Sequence, residues 1–201
     1  MLKYKFNIFL VIALSVLQAC KNDKSDNHLK AIKKVPANYV NADSWDFKNV
    51  ADTIYYKDKP FSGIQFSLYP SGDTAFVKPC YAGLQEGVSK TWHPNKQLAD
   101  ERFYISGKKE GLHRGWWPDG KLKFTYQFDN DEFNGVIKEW YNTGNPLKEF
   151  HMVKGYEEGS QKMWWINGKT RANYIIKNGR RYGLLGTKNC INVADSVFIN
   201  R

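Results

Sequence analysis

Six glycines, Gly63, Gly87, Gly111, Gly135, Gly159 and Gly183, follow one another at a constant interval of 24 residues. A fixed period of this length is the mark of one supersecondary unit used repeatedly, each copy burying its apolar surface only against its neighbours. Counting each glycine as position zero, position five is Leu68, Trp92, Trp116, Trp140 and Trp164. Position six is Tyr69, His93, Trp117, Tyr141 and Trp165, and a degenerate leading unit puts Trp45 there too. All seven tryptophans of the chain thus fall at two positions of the repeat.

Each unit has the pattern of a β-hairpin. Positions one to six alternate and are rich in aromatic and branched residues. Pro70-Ser71-Gly72, Pro118-Asp119-Gly120 and Asn142-Thr143-Gly144 then supply turn chemistry, Pro setting φ and Gly tolerating positive φ. Positions ten to eighteen form the return strand, and a second turn leads to the next glycine. A three-residue turn pairs Trp92 with Leu98 and Trp116 with Leu122. Extended along the strands without interruption, this register gathers one face. Its members are Ile64, Phe66, Leu68, Val88, Trp92, Leu112, Trp116, Phe124, Tyr126, Val136, Trp140, Phe150, Trp164 and Tyr174, the predicted core. The glycine at position zero is expected to let an aromatic ring lie over bare backbone. The expected fold is all-β: an elongated single-sheet antiparallel meander of β-hairpin repeats.

Residues Gly111 to Leu122 have the form Gly-x4-Trp-(Trp/Tyr)-Pro-x-Gly-x-Leu, and Tyr104 to Gly111 closes a unit as Tyr-x-x-Gly-x3-Gly. These motifs resemble the MORN-repeat family in its longer bacterial variant, over roughly Val50 to Leu185. The resemblance implies strings of antiparallel hairpins in an elongated, curved sheet, serving as interaction or membrane-proximal modules. Bacterial members are often labelled antitoxin-like.

The N-terminal residues 1–19 have a basic head with Lys3 and Lys5, an apolar run from Ile8 to Leu17, and Ala19 before Cys20. That is the layout of a secretory signal, too short to span a membrane as a helix. Leu17-Gln18-Ala19-Cys20 resembles the lipobox of bacterial lipoproteins, which implies acylation of Cys20 after cleavage. Lys21 resembles the sorting residue of lipoproteins sent to the outer membrane. The alternative is a plain signal peptide that leaves Cys20 a free thiol. Residues 20–42 are expected to be a polar tether, 43–185 the array, and 186–201 a C-terminal cap with a closing strand over Ile191–Ile199. Removing Lys3 and Lys5 takes the formal charge from +10 to +8, and an exported address argues against nucleic acid as partner. Cys80 and Cys190 are expected to be too far apart for a disulfide.

Catalytic chemistry finds no purchase. His28, His93, His113 and His151 show no metal-ligand spacing. Asn167-Gly168-Lys169-Thr170 lacks the leading glycine of a phosphate loop, and Asp129-Asn130-Asp131 fails as a calcium loop at Phe133. Cys190, outside the repeat pattern, is the sole candidate for a reactive thiol. No enzyme, metal or cofactor is expected. The expected function is that of a membrane-anchored lipoprotein at the cell envelope, displaying a protein-interaction scaffold. The alternatives are binding of a carbohydrate or envelope polymer through the aromatic row Tyr69, His93, Trp117, Tyr141 and Trp165, or antitoxin-like partner binding.

Overall fold

A computed structural model describes residues 32–185. The signal segment, Cys20, most of the tether, Cys190 and the strand expected over Ile191–Ile199 lie outside the described residues. The described part has no helix, and all its regular elements are strands.

The leading residues form β1 (Tyr39–Asn41) and then a separate three-stranded sheet of β2 (Phe47–Val50), β3 (Thr53–Tyr56) and β4 (Lys59–Pro60). Five hairpins follow. The first strands of four of them are β5 (Gly63–Leu68), β8 (Gly87–Trp92), β11 (Gly111–Trp116) and β14 (Gly135–Trp140). Their return strands are β6 (Thr74–Tyr81), β9 (Leu98–Ile105), β12 (Leu122–Asp129) and β15 (Pro146–Val153). The short strands β7 (Leu84–Gln85), β10 (Lys108–Lys109) and β13 (Glu132–Phe133) lie between units. In the fifth hairpin that link merges into one long strand, β16 (Tyr156–Trp164), which pairs with β17 (Thr170–Lys177), and β18 (Arg180–Leu184) follows.

Hydrogen bonding joins these in the order β1-β5-β6-β8-β9-β11-β12-β14-β15-β16-β17-β18, with β7, β10 and β13 paired to β6, β9 and β12. The sheet is therefore a sequential meander, as the repeat predicts. It departs from a single antiparallel sheet twice. The leading strands make a sheet of their own, and β1 pairs with β5 in parallel, Tyr39 opposite Ile64. Residues assigned to the tether thus cover the first edge. Glu86 accepts from the Lys33 backbone amide at 2.9 Å, so the chain is already held to the second hairpin at that point. An uncovered edge recruits other strands, which gives this docking a purpose.

Two turns build each unit. At positions seven to nine the backbone of Trp117 donates to Lys121 and Gly120 donates back to Trp117, both at 2.8 Å. The last turn residue has positive φ in all five units: Gly72, Lys96, Gly120, Gly144 and Gly168. Between units, positions nineteen and twenty both have positive φ, from Ala82-Gly83 (49° and 83°) to Asn178-Gly179 (53° and 71°). Two consecutive left-handed residues make the mirror-image turn whose twist suits a two-residue hairpin.

The predicted core face is corrected by a β-bulge. Trp116 does face Leu122, but Gly115 faces Phe124, so position twelve is an extra residue on the return strand. The same shift recurs between Ser67 and Leu68, Thr91 and Trp92, Glu139 and Trp140, and Met163 and Trp164. A one-residue shift exchanges faces. Phe124, Tyr126, Phe150 and Tyr174 consequently share the inner face with positions two and seventeen, while position one points outward. Leu68, Val88, Leu112 and Val136 of the predicted core are exposed. Tyr174 of the predicted core is buried, and with it are Cys80, Tyr104, Phe128 and Ile176 at position seventeen and Ile137, His113, Gln161, Ser89 and Gln65 at position two, among others.

The repeating glycine has the expected role in part: an added Cβ would lie 2.8 Å from the Phe61 ring at Gly63 and 3.7 Å from the Phe103 ring at Gly111. Beside Gly87 and Gly159 there is open space, with no ring overhead, but their φ angles are +85° and +72°. Position zero needs the left-handed backbone to step from the short strand's register into the first strand. Close approach operates at Gly115, where an added Cβ would lie 2.1 Å from the Phe124 ring.

Candidate functional site

Four of the five position-six side chains have a structural task. Tyr69 Oη donates to the Trp92 carbonyl oxygen at 2.7 Å, and Tyr141 Oη to that of Trp164 at 3.0 Å. Trp117 Nε1 donates to the Trp140 carbonyl at 3.2 Å. His93 Nε2 lies 2.9 Å from the Trp116 carbonyl, which can only accept, so that nitrogen carries the proton. The row therefore works as a chain of latches, each joining one turn to the backbone of the next unit. The tryptophans meet the neighbouring unit through their carbonyl groups. Trp165, the fifth member, is 49% exposed. Cations sit over two of the rings: Lys123 Nζ is 4.6 Å from the centre of Trp117, and the Arg171 guanidinium 4.7 Å from that of Trp165.

The opposite rim is tied by backbone. Gly107 donates to Gln85, Asp131 to Lys109 and Gly155 to Phe133, at 2.8, 3.0 and 2.9 Å. Acidic side chains one residue before the glycines brace the same turns. Glu86 accepts from the Ser106 amide at 2.7 Å and Glu110 from the Asn130 amide at 2.9 Å. Their turn residues Ser106 and Asn130 have positive φ, so the carboxylates hold strained backbone in place. Glutamate recurs at that position as Glu86, Glu110 and Glu158, a signal present in the sequence that strand alternation alone passes over.

Position two fills the gap where pairing between units is interrupted. His113 Nε2 donates to the Phe103 carbonyl at 2.8 Å, and Gln161 Nε2 to that of His151 at 2.9 Å. Both side chains are almost fully buried. His113 is packed between Tyr104 and Phe128, ring centres 5.6 and 4.7 Å away. Burial pulls its pKa below the ordinary histidine value, and nearby Arg102 and Lys109 add to the effect, so the imidazole is neutral at pH 7. Burial likewise pushes the Cys80 thiol up to about 11, which leaves it protonated and unreactive. Among the described residues no group of three or more His, Cys, Asp or Glu side chains could hold a metal ion.

The outer face carries a different repeat. Position one leaves Val88, Leu112 and Val136 exposed by 44%, 46% and 36%, one per unit. Beside them runs a line of ion pairs. Lys90 and Arg114 both reach Glu101, at 3.2 and 3.1 Å, and Lys138 reaches Glu149 at 2.9 Å. The Lys138 partnership holds the Glu149 carboxyl below the usual carboxylate range. Charge on this face is thus largely paired, and its apolar column stays open to solvent.

Hairpins laid side by side in one sheet, latched at both rims, define a β-hairpin repeat protein. Residues 85–106 and 109–130 match the family model described as MORN repeat variant. Over those two stretches the chain is similar to MORN repeats. No curated protein matches the chain. MORN repeats are generally associated with protein and membrane interaction, and theirs is not a known enzyme family.

Proposed function

We propose that this protein is a lipoprotein of the cell envelope, anchored through Cys20, whose array offers its outer face to a protein partner and performs no catalysis. The carrying observation is the column Val88, Leu112 and Val136, exposed at one-unit intervals beside neutralised charge. Isolated exposed apolar residues are ordinary, but a repeated column in register supports use as a contact surface. Its ion-paired flank lets a partner dock without stripping water from unpaired charge. The Leu17-Gln18-Ala19-Cys20 ending supports the anchor.

Photo-crosslinkers placed at Leu112 and, as an inner-face control, at Arg102 test the surface in intact cells. A discrete crosslinked product from position 112, absent from position 102, is the expected result; equal or no products contradict it. Labelling with a palmitate analogue, lost in Cys20→Ala, tests the anchor independently.

A second reading, glycan binding through the position-six row, draws on the exposure of Trp165. A sugar would have to displace Arg171 from that ring. Retention on a peptidoglycan or glycan panel, abolished by Trp165→Ala in a folded protein, would favour it. Antitoxin-like binding would show as a toxic polypeptide captured by the same crosslinkers.

A further inference from the structure

Between the small leading sheet and the first inter-unit turns lies a cleft of about 540 Å³, within the about 300–1,000 Å³ usual for small-ligand sites. Backbone fixes its walls to each other. The Ile54 amide donates to the Gly83 carbonyl at 2.8 Å, and the Gly83 amide to that of Phe61 at 2.7 Å. Asp52 lines the cleft from the turn of the small sheet, and Gln65 and Lys78 from the first hairpin.

The two array residues break the pattern of their positions. In later units a polar side chain at position two is bonded within the protein. Ser89 Oγ donates to Gln85 Oε1 at 3.3 Å, and His113 and Gln161 reach backbone carbonyls. Gln65 is only 9% exposed, yet its side-chain amide has no hydrogen-bond partner among the described residues. A buried amide left without a partner destabilises a fold, so it calls for another explanation. Position fifteen is Lys78 in the first hairpin and Arg102 in the second. Arg102 Nε lies 3.2 Å from Asp100, two residues earlier on the same strand. In the first hairpin that place is Phe76, and Lys78 Nζ lies 5.2 Å from the centre of its ring. Lys78 has no ion-pair partner among the described residues.

Gln65 and Lys78 are directly opposed across β5 and β6, so an amide donor and an ammonium group stand side by side. The cleft's other lysine is engaged, Lys108 Nζ donating to Asn130 Oδ1 at 2.7 Å. Asp131 also lines it and accepts from the Lys109 amide at 2.8 Å. Asp52 has neither an ion pair nor a hydrogen bond among the described residues. Lys78 and Asp52 thus share a cleft without touching. The four charges lining it, Lys78, Lys108, Asp52 and Asp131, sum to zero, which favours a zwitterion over a plain anion.

We propose that this cleft binds a small zwitterion, an amino acid or short peptide, its carboxylate held by Lys78 and Gln65 and its ammonium group by Asp52. Such charge-assisted bonds are the strong ones available to a small polar ligand. Gln65 and Lys78 belong to the inner face, opposite the column of Val88, Leu112 and Val136, so the site does not depend on that column's partner.

Titration calorimetry of the full chain tests the site, with free amino acids, dialanine and trialanine as probes and N-acetyl-dialanine and dialanine amide as blocked controls. Binding of a free zwitterion is expected, weakened about tenfold or more by blocking either end, and to a similar degree by Lys78→Met or Asp52→Asn. Gln65→Leu should weaken binding and at the same time raise the urea midpoint of the unliganded protein, because it removes an unpartnered amide. Binding by none of the probes would overturn the proposal. So would affinity indifferent to a blocked amine, which would make the cleft an anion site. Gln65→Leu lowering the midpoint with affinity unchanged would also overturn it, by giving that side chain a purely structural role.

Discussion

At the scale of single residues, the polar side chains of position two do what no alternation pattern announces. A histidine in a strand of alternating character looks like a solvent-side residue, yet His113 is enclosed by aromatic rings and bonded to a backbone carbonyl. Its folded pKa is depressed, so the unfolded chain binds a proton more readily. Stability contributed by the neutral imidazole is complete above the unfolded value near pH 6.5, and is lost as pH falls toward the lower folded value. His113→Gln should reduce this acid sensitivity, since Gln161 fills the equivalent place in another unit with the same bond. Urea melts at pH 7.5 and pH 5 would read it: a smaller drop in the variant is expected, and an unchanged drop would assign the sensitivity elsewhere.

At the scale of the element, the hairpin was legible because its turns are written in Pro, Gly and Asn at fixed offsets, and each Trp–Leu pair at the strand end was placed correctly. The inward face was not, because one bulged residue, Lys123 in the third hairpin, is chemically no different from its neighbours. The latches were equally hidden. A ring at a turn rim is the same symbol whether it binds a ligand or the next unit. Tyr141→Phe deletes only the hydroxyl that reaches Trp164, and should cost about 0.5–1.5 kcal/mol in urea unfolding. Two glycine substitutions separate backbone angle from space. Gly159→Ala, in open surroundings at φ +72°, should cost about 1–2 kcal/mol from the left-handed backbone alone. Gly115→Ala has no such angle, but must displace Phe124 from its stack with Tyr126, at about 1–3 kcal/mol. A structure of the second variant with Phe124 unmoved would contradict this.

At the scale of the whole molecule, the 24-residue period sets the order of the strands. It predicted a sequential meander, and the strand order follows it from β5 to β18. It did not predict how the array begins, because β1 and the small sheet obey no repeat; β1 is placed by the need to cover an edge. Each hairpin contacts mainly the ones beside it, through two latched rims and a short shared ladder, so stability should be divisible by units. Removing residues 111–134, which joins Glu110 directly to Gly135 and preserves every position, tests that division most directly. The account predicts a folded, cooperatively melting β-protein whose urea m-value is smaller by about a fifth, in proportion to the surface removed. A control lacking only residues 111–122 should fail to fold. If removing the complete unit unfolds the chain as thoroughly as removing half of one, the hairpin is not its unit of construction.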